Sequence, residues 1–130
     1  MKNYILILLF LTLALPIKAQ YTRMEKSNDS LLRHMVLFSF KKETSPNKIS
    51  EISNAFKALP QKIHVIKDFE WGLNNSPEGL NKGFTHCFFV TFESEKDREI
   101  YLPHPAHQDF VKLLDNQLED VLVVDYWTKN

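Results

Sequence analysis

The chain has 130 residues, 16 basic and 16 acidic groups for a formal net charge of zero, and 44% hydrophobic residues. That is the length of a single domain, and with no basic excess it lacks the electrostatic footprint of a nucleic-acid or anionic-membrane binder. The lone cysteine, Cys87, excludes an internal disulfide framework.

The first 19 residues read as a secretory signal. Lys2 gives a short positive start, Tyr4 to Leu15 is almost unbroken apolar sequence, Pro16 breaks it, and Ala19 precedes a cut at Gln20. The run is shorter than the roughly 20 residues of a spanning helix, so cleavage near Ala19 and export to the periplasm or outside are expected, with no membrane attachment afterwards. Removing Lys2 and Lys18 from the 16 basic residues leaves 14 against 16 acidic ones, a net of −2. Residues 20–31 are polar and aperiodic and read as a flexible leader.

The domain opens at His34 to Phe40, apolar on both alternating faces, as a strand covered on both sides is. Thr44 or Ser45 caps a helix with Pro46 at its first position. Ile49, Ile52, Phe56 and Leu59 recur there at helical spacing until Pro60 stops it. Val65 to Leu73 reads as a second strand, with Phe69 and Trp71 on one side and Asp68 and Glu70 on the other. Asn74 to Gly83 is a turn-rich loop. Phe84 to Phe92 is a third strand, with Cys87 as an inert thiol inside it. Ser94 caps a second helix whose early turns carry Glu95, Asp97 and Glu99. It runs to about Leu102, kinks at Pro103 and Pro105, and resumes to about Leu118, before a last strand from Val121 to Trp127. The order β-α-β-β-α-β is the α+β, ferredoxin-like arrangement. Strands apolar on both faces leave one sheet face uncovered, and a second copy of the chain covers it most economically, so a homodimer is expected.

The chemistry concentrates in Tyr101-Leu102-Pro103-His104-Pro105-Ala106-His107. Proline at the first helical position makes His104 to His107 a loop running straight into a helix. Strand alternation puts His34 and Phe38 on one face of the first strand, and His86 and Phe88 on one face of the third. His107, Val111 and Leu114 share a helical stripe, so His34, His86 and His107 are expected to converge with Tyr101 nearby. Three readings follow: an acid/base site in which imidazole takes a proton and the phenol polarises a carbonyl, a metal site, or histidines that merely cap and fill. No Asp, Glu or Cys stands at a ligand spacing, so neither metal nor cofactor is expected. His64 is expected to be exposed.

His34-Met35-Val36-Leu37-Phe38-Ser39-Phe40, Phe69-Glu70-Trp71-Gly72, Gly83-Phe84-Thr85-His86, Thr91-Phe92-Glu93-Ser94, Tyr101 to His107, and Val121 to Tyr126 together resemble the stress-responsive A/B barrel domain (Dabb) family across residues 32–128. The resemblance implies a dimeric α+β barrel, two four-stranded sheets face to face with helices outside. Many members have no known activity, some are linked to stress tolerance, and plant members include a polyketide cyclase whose catalytic Tyr and His match Tyr101 and His107. His34, His86 and His104 also match histidines of that pattern, and with Phe38 and Phe88 they are the candidate substrate-binding residues. The expected function is an exported domain binding a small apolar or aromatic molecule, with lyase- or cyclase-like acid/base chemistry at His107 and Tyr101. The alternative is a structural or stress-protective dimer without catalysis. A binding domain leaves a cavity of about 300 Å³ or more beside these groups, whereas a protective one fills it with Phe38, Phe88 and Phe110.

Overall fold

A computed structural model describes residues 30–129; the expected signal at 1–19 and all but the last two residues of the leader at 20–31 lie outside them. Four strands, β1 (Leu32–Phe40), β2 (Asp68–Leu73), β3 (His86–Phe92) and β4 (Leu118–Trp127), form one antiparallel sheet in the order β2-β3-β1-β4. Helices α1 (Pro46–Lys57), α2 (Glu95–Tyr101) and α3 (Pro105–Leu113) complete the ferredoxin-like fold, with a short 3-10 turn at Leu59–Gln61.

Local chemistry starts each helix. Ser45 Oγ accepts from the Lys48 amide ahead of Pro46, and Ser94 Oγ accepts from the Asp97 amide with Glu95 and Asp97 in the first turn. The helices then cover the sheet face that carries Leu32, Val36, Phe38, Phe88, Val90 and Phe92, and with Ile52, Phe56 and Phe110 these residues make one core. Phe56 is its hub, with ring centroids 4.6 Å from Phe88 and 4.4 Å from Phe110. Truncating such a ring costs about 3–5 kcal/mol.

The opposite face carries no helix. Register places Met35 beside Phe89 and Val124, and Leu37 beside Cys87 and Leu122, a mostly apolar surface. Cys87 is partly buried there, and burial, followed by the nearby Glu70 charge, pushes its thiol above the ordinary range, where it is a poor nucleophile.

Several expected boundaries move. The last helix ends at Leu113 rather than near Leu118, because Leu114, Asp115 and Gln117 amides close successive turns onto Val111, Lys112 and Leu114 and Asn116 turns the chain at φ 57°. β4 therefore begins at Leu118, three residues before the expected Val121. β2 begins at Asp68 because the Ile66 amide turns back to Ile63, and β3 begins at His86 because the Phe84 amide turns back to Asn81. Turn bonds outcompete strand propensity in these short connections.

Candidate functional site

α2 ends at Tyr101 and α3 begins at Pro105, capped by His104, so two short helices meet over one end of the sheet. Tyr101 is fully buried at that junction. Its ring lies 4.4 Å from His107, 5.8 Å from His34 and 5.2 Å from Phe92, centroid to centroid. Its hydroxyl has no hydrogen-bond partner, alone among buried side-chain polar atoms of the described residues. A buried donor left unmade costs about 1–3 kcal/mol. Burial also pushes its phenol far above the ordinary range, so Tyr101 is a hydrogen-bond donor and not a base.

Both neighbouring histidines are held by Nδ1. His107 Nδ1 donates to the Leu102 carbonyl at 2.8 Å. A carbonyl only accepts, so Nδ1 carries the hydrogen and Nε2 the lone pair. Burial lowers the His107 pKa; the Leu102 hydrogen bond opposes this, and the charges of His34 and His104 add to the lowering. It is therefore a neutral acceptor at neutral pH. His34 Nδ1 lies 2.6 Å from Asp125 Oδ1, and Arg98 Nη1 donates to Asp125 Oδ2 at 2.8 Å.

These groups border a cleft of about 360 Å³, walled mainly by Val36, Phe38, Phe56, Phe110, Val121 and Val123. Its mouth lies along β4, where Val121 and Val123 are 47% and 49% exposed. An apolar cavity of this size with a few convergent polar tips is the form of a small-molecule site. A buried donor and a neutral acceptor at one wall can polarise a carbonyl and receive a proton.

The structure brings together His34, Tyr101 and His107, with Phe38 in the wall, and corrects the rest of the expected convergence. His86 stands apart. Antiparallel pairing sets His34 opposite Val90 but His86 opposite Phe38, four positions or about 13 Å along the strand. His86 packs instead on Phe40 at 5.0 Å and joins Trp71, Leu73 and Lys57 at another surface cleft. His104 accepts from the Ala106 amide at 3.1 Å as the cap of α3 and borders a groove between α1 and α3. Phe88 is fully buried beneath Phe56 and Trp71 and is core rather than wall. His64 is exposed. Sequence reasoning missed Asp125 and Arg98. The signal was there: Asp125 continues the alternation of Val121 and Val123 and so falls on the helix-facing side, across from His34. Among the described residues, no three His, Cys, Asp or Glu are grouped to hold a metal.

A ferredoxin-like α+β domain with a histidine-tyrosine cleft under its paired helices is thus the class of protein. The family model of the Stress responsive A/B Barrel Domain matches residues 32–128, and the chain belongs to that family. It is 41% identical over 95 residues to the stress-response A/B barrel domain-containing protein HS1 of Arabidopsis thaliana, covering 73% of this chain and 87% of that one. Olivetolic acid cyclase of Cannabis sativa is 30% identical over 95 residues, 73% of this chain and 94% of its own. Among solved structures, the hydroxynitrile lyase of Passiflora edulis superposes with a TM-score of 0.72 at 27% identity, covering 76% of this chain and 94% of that chain. A dimeric ferredoxin-like protein of unknown function from Bacteroides fragilis gives 0.62 at 29% identity, covering 75% and 96%.

Proposed function

We propose that this protein is an exported homodimer that binds a small, neutral, apolar or aromatic carbonyl compound in the His34–Tyr101–His107 cleft and performs acid/base chemistry of the lyase or cyclase kind. The observation that carries this reading is the fully buried Tyr101 hydroxyl, which has no partner among the described residues. Tyr101 is among the residues lining the cleft, and a ligand oxygen that reached its hydroxyl would satisfy it. In the reaction, Tyr101 O–H donates to the carbonyl oxygen and His107 Nε2 takes a proton from the adjacent carbon. The C–H electron pair moves into a new carbon–carbon double bond, and the carbonyl electrons move onto the oxygen facing Tyr101. Relatives named as a cyclase and a lyase support the chemistry. The bare apolar sheet face and the dimeric relative support self-association; the residue pattern of 1–19 supports export.

The test uses benzylacetone, a neutral aryl ketone, in deuterated water, with hydrogen exchange beside its carbonyl followed by NMR. The protein should accelerate exchange, and Tyr101→Phe and His107→Ala should each lower the rate by about 100-fold or more. No acceleration, or acceleration unchanged in both variants, would remove the acid/base reading. Size measurement in solution checks the dimer, which a monomer at micromolar concentration would refute. An amino terminus at Gln20 on the processed protein checks export.

A further inference from the structure

The two imidazoles of the cleft are held alike but by unlike partners. His107 is held by a backbone carbonyl at a helix junction. His34, on β1, is held by Asp125, which comes from β4, an edge strand, 91 residues away. A carboxylate on an edge strand is free to rotate unless both of its oxygens are engaged. Here both are: Oδ1 faces His34 Nδ1, and Oδ2 accepts from Arg98 on α2. The titratable groups facing His34 are thus Asp125 from β4, Arg98 (through Asp125) and Tyr101 from α2, and His107 from α3; β3 contributes the Phe92 ring.

We infer that Arg98 and Asp125 are positioning residues for His34, holding it as the Nδ1–H form so that Nε2 stands in the cleft as a second proton acceptor beside His107. The inference rests on the acid/base reading of this cleft. An ionised carboxylate only accepts, so it fixes the hydrogen on Nδ1, and His34 Nε2 has no protein partner among the described residues. A proton taken up at His34 Nε2 gives an imidazolium lying against the Asp125 carboxylate, the arrangement by which a buried acid supports a working histidine. The same charge at His107 would have the Leu102 carbonyl as its hydrogen-bond partner and no carboxylate against it. Arg98 donates and never accepts, so it orients Asp125 without competing for the His34 hydrogen. Its contribution reaches substrate only through two other side chains.

Isotope-edited imidazole NMR of the purified full chain reads this directly, because the two ring nitrogens report which one carries the hydrogen. In the unsubstituted protein His34 and His107 should both be Nδ1–H. Arg98→Met should shift His34 to a mixture of forms, leave His107 unchanged, and slow benzylacetone exchange about tenfold, the order of effect expected for a residue supporting a ligand-facing histidine. Arg98→Lys should restore both, since an ammonium can still donate to Oδ2. Asp125→Asn is the second probe, independent of whether Arg98→Met folds. Arg98 would take the carboxamide oxygen, turn the NH₂ toward His34, and drive it to the Nε2–H form. His34 as Nε2–H in the unsubstituted protein, or Nδ1–H unchanged in Asp125→Asn or in a folded Arg98→Met, would overturn the inference, even if that variant melted earlier. The expected nitrogen pattern without any ketone exchange would support the clamp and overturn the acid/base reading instead.

Discussion

The helix-covered face of the sheet has two ends, each with a strand histidine among aromatic rings, and they are built for different purposes. At the β3 start, His86 lies edge-on to Phe40 and near-parallel to Phe88, with Thr85 Oγ1 at 2.9 Å from its Nδ1. Rings pack its inner side, and burial lowers its pKa. At the β1 start, His34 faces a cleft, a buried hydroxyl with no protein partner, and a second imidazole. The difference comes from what covers each end. α1 and β2 pack Phe56, Phe69 and Trp71 against Phe88 at one end. At the other, Val121 and Val123 of β4 stay half exposed beside the cleft. A histidine on an apolar face is therefore no signal by itself; the signal is a polar tip that its surroundings leave unsatisfied.

The contrast is most sharply tested at Tyr101. Tyr101→Phe deletes a buried donor that has no partner, so the variant should be more stable by about 1–3 kcal/mol, a rise of several degrees in Tm, while losing ketone response. A calorimetric scan showing destabilisation would mean that the hydroxyl is already satisfied, and the two ends would cease to differ.

Within the cleft end, the two histidines three residues apart should separate in opposite directions. His104→Ala removes the cap of α3 and should cost about 1 kcal/mol with ketone exchange intact. His107→Ala should abolish exchange at a cost within about 0.5 kcal/mol, because the Leu102 carbonyl keeps Gln108 Nε2 as a donor at 2.7 Å. Melting curves and exchange rates of both variants decide this; an exchange loss in His104→Ala would merge the two roles.

The smallest effect is in pH. Burial lowers the His107 pKa, so it stays a neutral acceptor below the ordinary imidazole value of about 6.5. Exchange should be complete at neutral pH and decline only as pH falls through that lowered value. Stability carries the same sign. The unfolded chain binds a proton near pH 6.5 that folded His107 refuses, so its contribution is whole above that pH and is lost as pH falls through the folded value. An exchange midpoint above 6.5 would show that another group governs the reaction.

Much of the molecule was readable along the chain because it depends on neighbours a few residues apart. Alternation in β1 and β3, the stripe of α1, Ser45 and Ser94 as caps, and Pro105 opening α3 are local properties, and they determined the β-α-β-β-α-β order and which face each residue takes. They also placed Tyr101 and His107 at one helix junction, because that pair is separated by a single break. Face assignment, however, says nothing of position along the face. Whether His34 meets His86 or His107 depends on antiparallel register, and the register sent His86 to the far end. Whether His34 is oriented at all depends on Asp125, 91 residues away in sequence, and on Arg98, 27 residues from Asp125. Contacts of that span belong to the packed sheet and helices, and they alone decided which polar atoms share the cleft and which one is left without a partner.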